Sequence, residues 1–375
     1  MSPINVPGIM NINLRFVFSF VGLAYHIIEK FLAVKNTADN FFHLHKNSQP
    51  VKLCLQYKFL VNKIITVQSQ FIHQKFHMSG ALIMQIDINS RLIALIGTPL
   101  SQSFAARMQN SAYQAAGFNM VYCYCEADST HLKEIIDGIR YMPTFLGCAV
   151  TKPNKEAVMQ YLDDLDPLCK KIGSSNTVVK TEGGKLIGYN TDGYGALRDI
   201  KEHGCVIKDK VMFSFGAGGT GRSVCLELAN EGAKKIYISS RSEKCETLSE
   251  EINKFYPGVC VPVRAADEAG IKKALDETDI ILNLSGLGMK GKEEYTCVDK
   301  KFLKPSHICF DATYNPATTR FLKEAAEVGC TTINGLGMSL YQGLRQIQLW
   351  TGGKAVPLDV MRQTLETIMK EKEGK

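Results

Sequence analysis

The twelve cysteines of this 375-residue chain include no C-x-x-C pair, and none stands at metal-ligand spacing from a histidine. That argues against the common structural zinc frameworks and a thioredoxin-type redox motif. Cys123 and Cys125 alternate along an apparent strand and share one face, and most of the others sit in apolar runs as small buried hydrophobes. This usage fits a reducing cytoplasm. A bilayer-length apolar run is missing too. The run from Phe16 to Ile28 has 13 residues, short of the roughly 20 that a spanning helix needs. It resembles the h-region of a secretory signal, yet Arg15 is the only cation ahead of it and no clear cleavage site follows.

A basic face is also lacking. The formal charge is +7, but residues 1–77 hold eight Lys/Arg against two Asp/Glu, while the remainder carries 36 against 35. The body is nearly neutral, so neither nucleic acid nor a membrane is an expected partner. Residues 1–90 read as a basic N-terminal extension that holds five of the eight histidines, all before Met78. The expected start of the fold lies near Met78 or Met84, with a targeting or membrane-contact segment as the rival reading. No internal repeat and no low-complexity linker interrupts the rest.

What is present is an α/β pattern long enough for two domains, with 45% hydrophobic and 22% charged residues. Leu92–Ile96, Met120–Cys125 and Phe145–Val150 read as strands, with helices over Ala105–Ala116 and Thr130–Ile139. A second series has strands at Val211–Phe215, Ile236–Ser239, Ile280–Leu284 and His307–Phe310. Helical stretches near Thr220–Glu231, Glu243–Phe255 and Thr318–Val328 separate them. Gly337–Trp350 and Leu358–Lys370 read as two final helices.

Val211–Phe215 runs directly into Gly216, Ala217, Gly218, Gly219, Thr220 and Gly221, a G-x-G-x-x-G between strand and helix. Gly216 would allow the tight turn, Gly218 the approach of a pyrophosphate, and Gly221 close packing of helix on strand. The helix N-terminus would offer free N–H groups to the phosphates. A glycine-rich turn without a ligand is the alternative. Ser240, Arg241, Ser242 and Glu243 follow the next strand and should meet the adenosine ribose. Arg241 and Ser242 would suit a 2′-phosphate, and Glu243 a free 2′-hydroxyl, so NADP and NAD both stay open with a slight lean to NADP.

Three further segments precede the turn: Thr151-Lys-Pro-Asn-Lys155, Ser175-Asn-Thr177 and Tyr189-Asn-Thr-Asp-Gly193. In this order and spacing, from about Leu92 to Arg362, the chain resembles the shikimate/quinate dehydrogenase family. The resemblance implies a substrate-binding catalytic domain over 91–195, completed by 337–375, and a Rossmann-type NAD(P)-binding domain over 196–336. It implies that 3-dehydroshikimate and shikimate are interconverted without a metal in a cytoplasmic enzyme, for which a homodimer is one expected assembly. Lys155 and Asp192 match the family's catalytic pair: Lys155 handles the proton of the reacting oxygen, and Asp192 orients it and accepts a substrate hydroxyl.

Further matches to substrate contacts are Ser103, Tyr122, Thr151, Asn176, Tyr314 and Gln342. A core-strand role for Tyr122 and a surface role for Gln342 remain the plain alternatives, and Asn190 is at least as well read as a turn-former. Asn283 and Ser285 match a segment near the nicotinamide, or else cap a turn; Gly335 and Met338 belong to a matched Gly-x-Gly-Met segment. Departures concern the substrate. Where the family has Ser-x-Ser-Pro for the ring carboxylate, this chain keeps Ser103 but has Ala105 and Ala106. Gln102 and Ala149 stand where histidine and asparagine are common. Quinate or another cyclitol carboxylate is therefore the alternative substrate, and a non-catalytic ligand-sensing relative the more distant one.

Overall fold

Two six-stranded sheets carry the chain in the computed structural model, which describes residues 86–101 and 103–373. Residues 1–85 of the N-terminal extension, with the Phe16–Ile28 run, and Gln102 lie outside the described residues. In the first sheet β1 (Arg91–Gly97) runs parallel to β2 (Met120–Glu126) on one side and β3 (Phe145–Val150) on the other. The two-residue side-chain period divides these strands cleanly. Ile93, Leu95, Tyr122 and Ala149 face one apolar layer, and Ala94, Ile96, Cys148 and Val150 the opposite one. Helices α1 (Ala105–Ala115) and α2 (Leu132–Tyr141) cover these two faces, and Cys123 and Cys125 lie half-buried on the α2 side.

The sheet continues through elements that the sequence reading did not anticipate. β4 (Asp164–Leu165) and the short helix α3 (Pro167–Ile172) precede an antiparallel pair, β5 (Thr177–Lys180) and β6 (Leu186–Tyr189). β5 pairs antiparallel with β3, and β4 pairs with the far side of β6. Helix α4 (Asp192–Glu202) follows, also unanticipated, because Gly193 and Gly195 mask its helical pattern.

The second sheet is wholly parallel. Its strands are β7 (Val211–Phe215), β8 (Lys235–Ser240), β9 (Cys260–Arg264), β10 (Ile280–Asn283), β11 (Ile308–Asp311) and β12 (Thr331–Asn334). The spatial order β12-β11-β10-β7-β8-β9 is that of a doubly wound dinucleotide fold. Helices α5 (Gly219–Asn230), α6 (Lys244–Asn253), α7 (Glu268–Asp276) and α8 (Arg320–Val328) link the strands. The unanticipated strands, β9 and β12, are the two edges. β9 contains Pro262, which is tolerated at an edge, and β12 is only Thr-Thr-Ile-Asn.

The last helices, α9 (Leu336–Trp350) and α10 (Leu358–Glu373), pack back toward the first sheet. Trp350 Nε1 donates to the carbonyl of Val178 at 2.9 Å. An Arg107–Glu371 ion pair and a 2.9 Å hydrogen bond between Ser111 and Thr364 fasten α10 to α1. Among the described residues no helix is long and apolar enough to cross a membrane.

Helix α4 is clasped from two sides. A Cβ on Gly195 would lie 2.5 Å from the Met338 carbonyl of α9, and one on Gly193 would lie 2.6 Å from the Ser223 carbonyl of α5. Backbone cannot yield as a side chain does, so Gly195→Ala should destabilise the fold by about 1–3 kcal/mol. A lower chemical-denaturation midpoint with an unchanged m-value checks this; an unaltered midpoint would mean that α9 slides freely on α4.

Glu227 of α5 packs its stem against Gly193. Burial, reinforced by Glu231 and Asp166, pushes its carboxyl from the ordinary 4.5 up to about 7. Between those two values the folded chain keeps a proton that the unfolded chain has lost, so this group's contribution to stability falls as pH rises from 4.5 to 7. Glu227→Gln should therefore melt near wild type at pH 5 and above it at pH 8, as read by thermal unfolding. A Tm difference that does not vary with pH would refute the assignment.

Candidate active site

The strand directions bring the chemistry-bearing segments to one edge of the first sheet. The carboxyl end of β3, the start of antiparallel β5 and the end of β6 all meet there, with Ala149 opposite Thr177 and Thr177 opposite Tyr189. The Thr151–Lys155 segment leaves β3 and lies against the end of β1. Thr151 N donates to Ile96 O at 2.8 Å, and Thr98 N to Lys152 O at 2.9 Å. Ser175 N donates to Lys155 O at 2.8 Å, tying the lysine backbone to the start of β5. Asn154 is fully buried and donates to Ala127 O at 2.9 Å.

Asp192 is the first residue of α4, where the free N–H groups of the helix favour a carboxylate. Its Oδ2 lies 2.5 Å from Lys155 Nζ, while its Oδ1 accepts from Asn176 Nδ2 at 2.7 Å. The lysine side chain is 24% exposed and the aspartate 6%, so the pair is largely withdrawn from solvent, with only the lysine within reach of it. Asn176 is buried. Its second amide proton goes to Thr191 Oγ1 at 3.0 Å, and its Oδ1 accepts from Thr191 N at 2.9 Å and Thr177 Oγ1 at 2.7 Å. Both Asn176 donors are thus engaged within the protein, one of them on the Asp192 carboxylate.

Behind Asn176 runs a buried polar relay that sequence reasoning missed. Gln346 Nε2 of α9 donates to Thr177 Oγ1 at 3.0 Å, Gln109 Nε2 of α1 donates to Gln346 Oε1 at 3.0 Å, and Tyr113 OH donates to Gln109 Oε1 at 2.9 Å. A buried amide needs partners, and this one has them in sequence from the core to the site. The available signal was two glutamines within otherwise apolar helical faces.

Asn190 serves the turn. Its amide donates to Ser174 O at 2.9 Å, and its Oδ1 accepts from Asp192 N at 3.1 Å and Ser223 Oγ at 2.8 Å. Ser223 Oγ also accepts from Gly193 N at 2.9 Å. Ser223, buried and not singled out in sequence, stands two residues after Gly221, so these bonds join the Asp192 turn to the helix that follows the glycine turn.

The other expected substrate contacts come from separate elements. Ser103 begins the turn into α1: its Oγ accepts from Ala105 N at 3.3 Å, and its carbonyl accepts from Tyr124 OH at 2.9 Å. Tyr122 is 2% exposed, its ring 6.1 Å from that of Trp350, and burial pushes its phenol well above the ordinary value. That is the core-strand position. Tyr314 meets the Phe104 ring edge-on at 4.7 Å, and burial raises its phenol as well. Gln342 lies half-buried on α9 where Gly195 of α4 approaches.

On the second sheet the glycine turn has the geometry that a dinucleotide requires. Gly216 has φ +122°, and a Cβ there would lie 2.6 Å from the Leu284 backbone; one on Gly221 would lie 2.1 Å from Gly216 O. A Cβ on Gly218 or Gly219, by contrast, would meet nothing within 4 Å, and with Ala217 and Thr220 these glycines open the α5 N-terminus to a phosphate. Ser240 ends β8, and Arg241, Ser242 and Glu243 are exposed beyond it. Asn283 takes the turn-capping role: it donates to Leu287 O and Asp311 Oδ2 and accepts from Ser285 Oγ at 2.6 Å. Gly335 precedes α9, where a Cβ would lie 2.2 Å from Ala312 O, and Met338 is buried in the core of the second sheet.

Comparison with known proteins agrees with the expected family. The family model described as the shikimate dehydrogenase substrate binding domain matches residues 95–178, and that of the shikimate 5′-dehydrogenase C-terminal domain matches residues 335–366. The chain is 37% identical over 280 residues to a shikimate dehydrogenase (NADP(+)) of Alkaliphilus oremlandii, covering 74% of this chain and 97% of that protein. It is 36% identical to a quinate/shikimate dehydrogenase of Escherichia coli, covering 75% and 99%. A crystal structure of shikimate 5-dehydrogenase from Listeria monocytogenes, in complex with shikimate and NAD, superposes with a TM-score of 0.72 at 36% identity, over 75% of this chain and 98% of that one. Resemblance, sheet order and nearly full coverage of these relatives agree: the chain belongs to the shikimate dehydrogenase family.

Proposed function

We propose that this protein is an NAD(P)-dependent oxidoreductase that interconverts 3-dehydroshikimate and shikimate, with Lys155 and Asp192 as its catalytic residues. The observation that carries the reading is the 2.5 Å Lys155–Asp192 contact, held by Asn176 and bonded through Asn190 and Ser223 to the helix after the glycine turn. In the units 91–195 with 337–375, and 196–336, the first would hold the ring acid and the second the dinucleotide. A bound nicotinamide dinucleotide would supply the hydride acceptor and donor, held by residues 216–221 and the 240–243 turn.

The remaining work falls to the chain's own groups. In the reducing direction Lys155 Nζ donates a proton to the carbonyl oxygen as it becomes a hydroxyl; in the oxidising direction the neutral amine takes that proton back. Asp192 fixes the lysine and retains lone pairs for a neighbouring ring hydroxyl. Thr151, Ser103, Gln342 and Tyr314 would shape the pocket around the ring, with Tyr122 in the core strand beneath it. The described cysteines are all free thiols, which supports a reducing cytoplasm, and a homodimer belongs to the same reading.

Lys155→Ala should lower kcat about 10²–10⁴-fold in a reduced-nicotinamide absorbance assay with shikimate. Retention of near-wild-type kcat would remove Lys155 from the chemistry. A second reading, turnover of quinate or another cyclitol carboxylate, is favoured by Ala105 and Ala149, which supply no hydrogen-bonding side chain. Ala105→Ser restores one hydroxyl and should lower the KM for the native ring acid by up to about tenfold, with kcat little changed. A KM that does not fall would show that the carboxylate is bound elsewhere.

A further inference from the structure

Strands β8 and β9 run parallel with Ser240 opposite Arg264, and Ala265 N donates to Ser240 O at 3.0 Å. Arg264 therefore stands at the carboxyl edge of the sheet, beside the point where the Ser240–Glu243 turn leaves β8. Ligands of open parallel sheets bind beyond that edge. Arg264 attracted no attention in the sequence because β9 itself was not legible there.

Two carboxylates hold this guanidinium unequally. Glu246, in the first turn of α6, accepts directly from Arg264 Nε. Glu243 is looser: its Oε1 lies 3.7 Å from Arg264 Nη2, beyond hydrogen-bonding distance, and its side chain is 87% exposed. The Ser240 hydroxyl is already engaged, donating to Ser242 O at 2.5 Å and accepting from Cys245 N at 3.1 Å. The side chain expected at the ribose thus shapes the turn, and Arg264 and the exposed Arg241 remain as its cations.

We propose that Arg264 is a further determinant of the choice between a 2′-phosphorylated dinucleotide and its 2′-hydroxyl counterpart, acting against the Glu243 already expected at the ribose. This rests on the dinucleotide reading above. Glu243 stands beside Arg264 where a 2′-phosphate would compete for the guanidinium. When the phosphate is present it displaces Glu243, and Glu246 keeps Arg264 in place to form charge-assisted bonds with it. When the ribose is free, Glu243 accepts the 2′-hydroxyl instead.

The test is titration calorimetry on the full chain with 2′,5′-ADP and with 5′-AMP, repeated with NADP⁺ and NAD⁺. Arg264→Gln should weaken 2′,5′-ADP by about tenfold or more and leave 5′-AMP unchanged. Arg264→Lys should recover part of the loss, and Glu243→Gln should shift preference toward the phosphorylated ligand. Should Arg264→Gln fail to fold, the other two variants still decide the matter. Equal weakening of both ligands would make Arg264 a brace for the turn and overturn the proposal, as would an unchanged preference in all variants. A folded wild-type chain that binds neither ligand would overturn the dinucleotide reading itself, a failure seen before any variant is made.

Discussion

The contact between Lys155 and Asp192 is the constraint to which the rest of the site is fitted. Removing an ammonium and a carboxylate from water costs several kcal/mol per ion unless further hydrogen bonds complete the pair. Here the aspartate side chain is 6% exposed, and it is completed by an amide proton from Asn176 and by its place at the start of α4. Asn176 in turn can point at Asp192 only because Thr191 and Thr177 occupy its other atoms. Gln346, Gln109 and Tyr113 then extend the same requirement into the apolar core, where an unpaired amide would cost more than the pairing yields. Each of these buried side chains is thus held by a partner in the same relay.

That arrangement has to be shared between two sheets, and helix α4 does the sharing. It begins at Asp192 and is pressed by α9 at Gly195 and by α5 at Gly193, contacts closer than any side chain would permit. Trp350 ties the far end of α9 to β5, while Met338 near its start is sunk in the second core. A displacement of either sheet would therefore be felt at the first turn of α4, where the Asp192 carboxylate sits. The two glycines that hide α4 from a propensity-based reading are the ones that allow it to act as the common wall.

This explains what was legible in the sequence. Val211–Phe215 and Phe145–Val150 end where their apolar runs end, because strands buried on both faces leave an uninterrupted signal. The two edge strands of the second sheet leave little: β9 carries Pro262, and β12 has a single fully apolar residue, Ile333. Lys155 and Asp192 were identified by their segments, since each is a charged residue in a short motif. The relay was not, because Gln109 and Gln346 lie 237 residues apart and only the return of α9 against α1 brings them together. Asn283 and Tyr122 show the converse. Both belong to matched segments, yet one is consumed by a loop and the other by the core.

The side chains proposed to set the choice of ring acid and nucleotide have no hydrogen-bonding obligation to this site. Ala105 and Ala149 carry no polar side-chain group, and Glu243 holds only a loose contact to Arg264. None of the three donates to or accepts from the Lys155–Asp192 pair and its relay through its side chain. Asn176, by contrast, cannot change without leaving Asp192, Thr191 and Thr177 short of partners. The buried pair is thus locked by mutual satisfaction, whereas the side chains proposed to choose the ring acid and the nucleotide stand outside that network. A scaffold built in this way can keep one chemistry while its substrates vary.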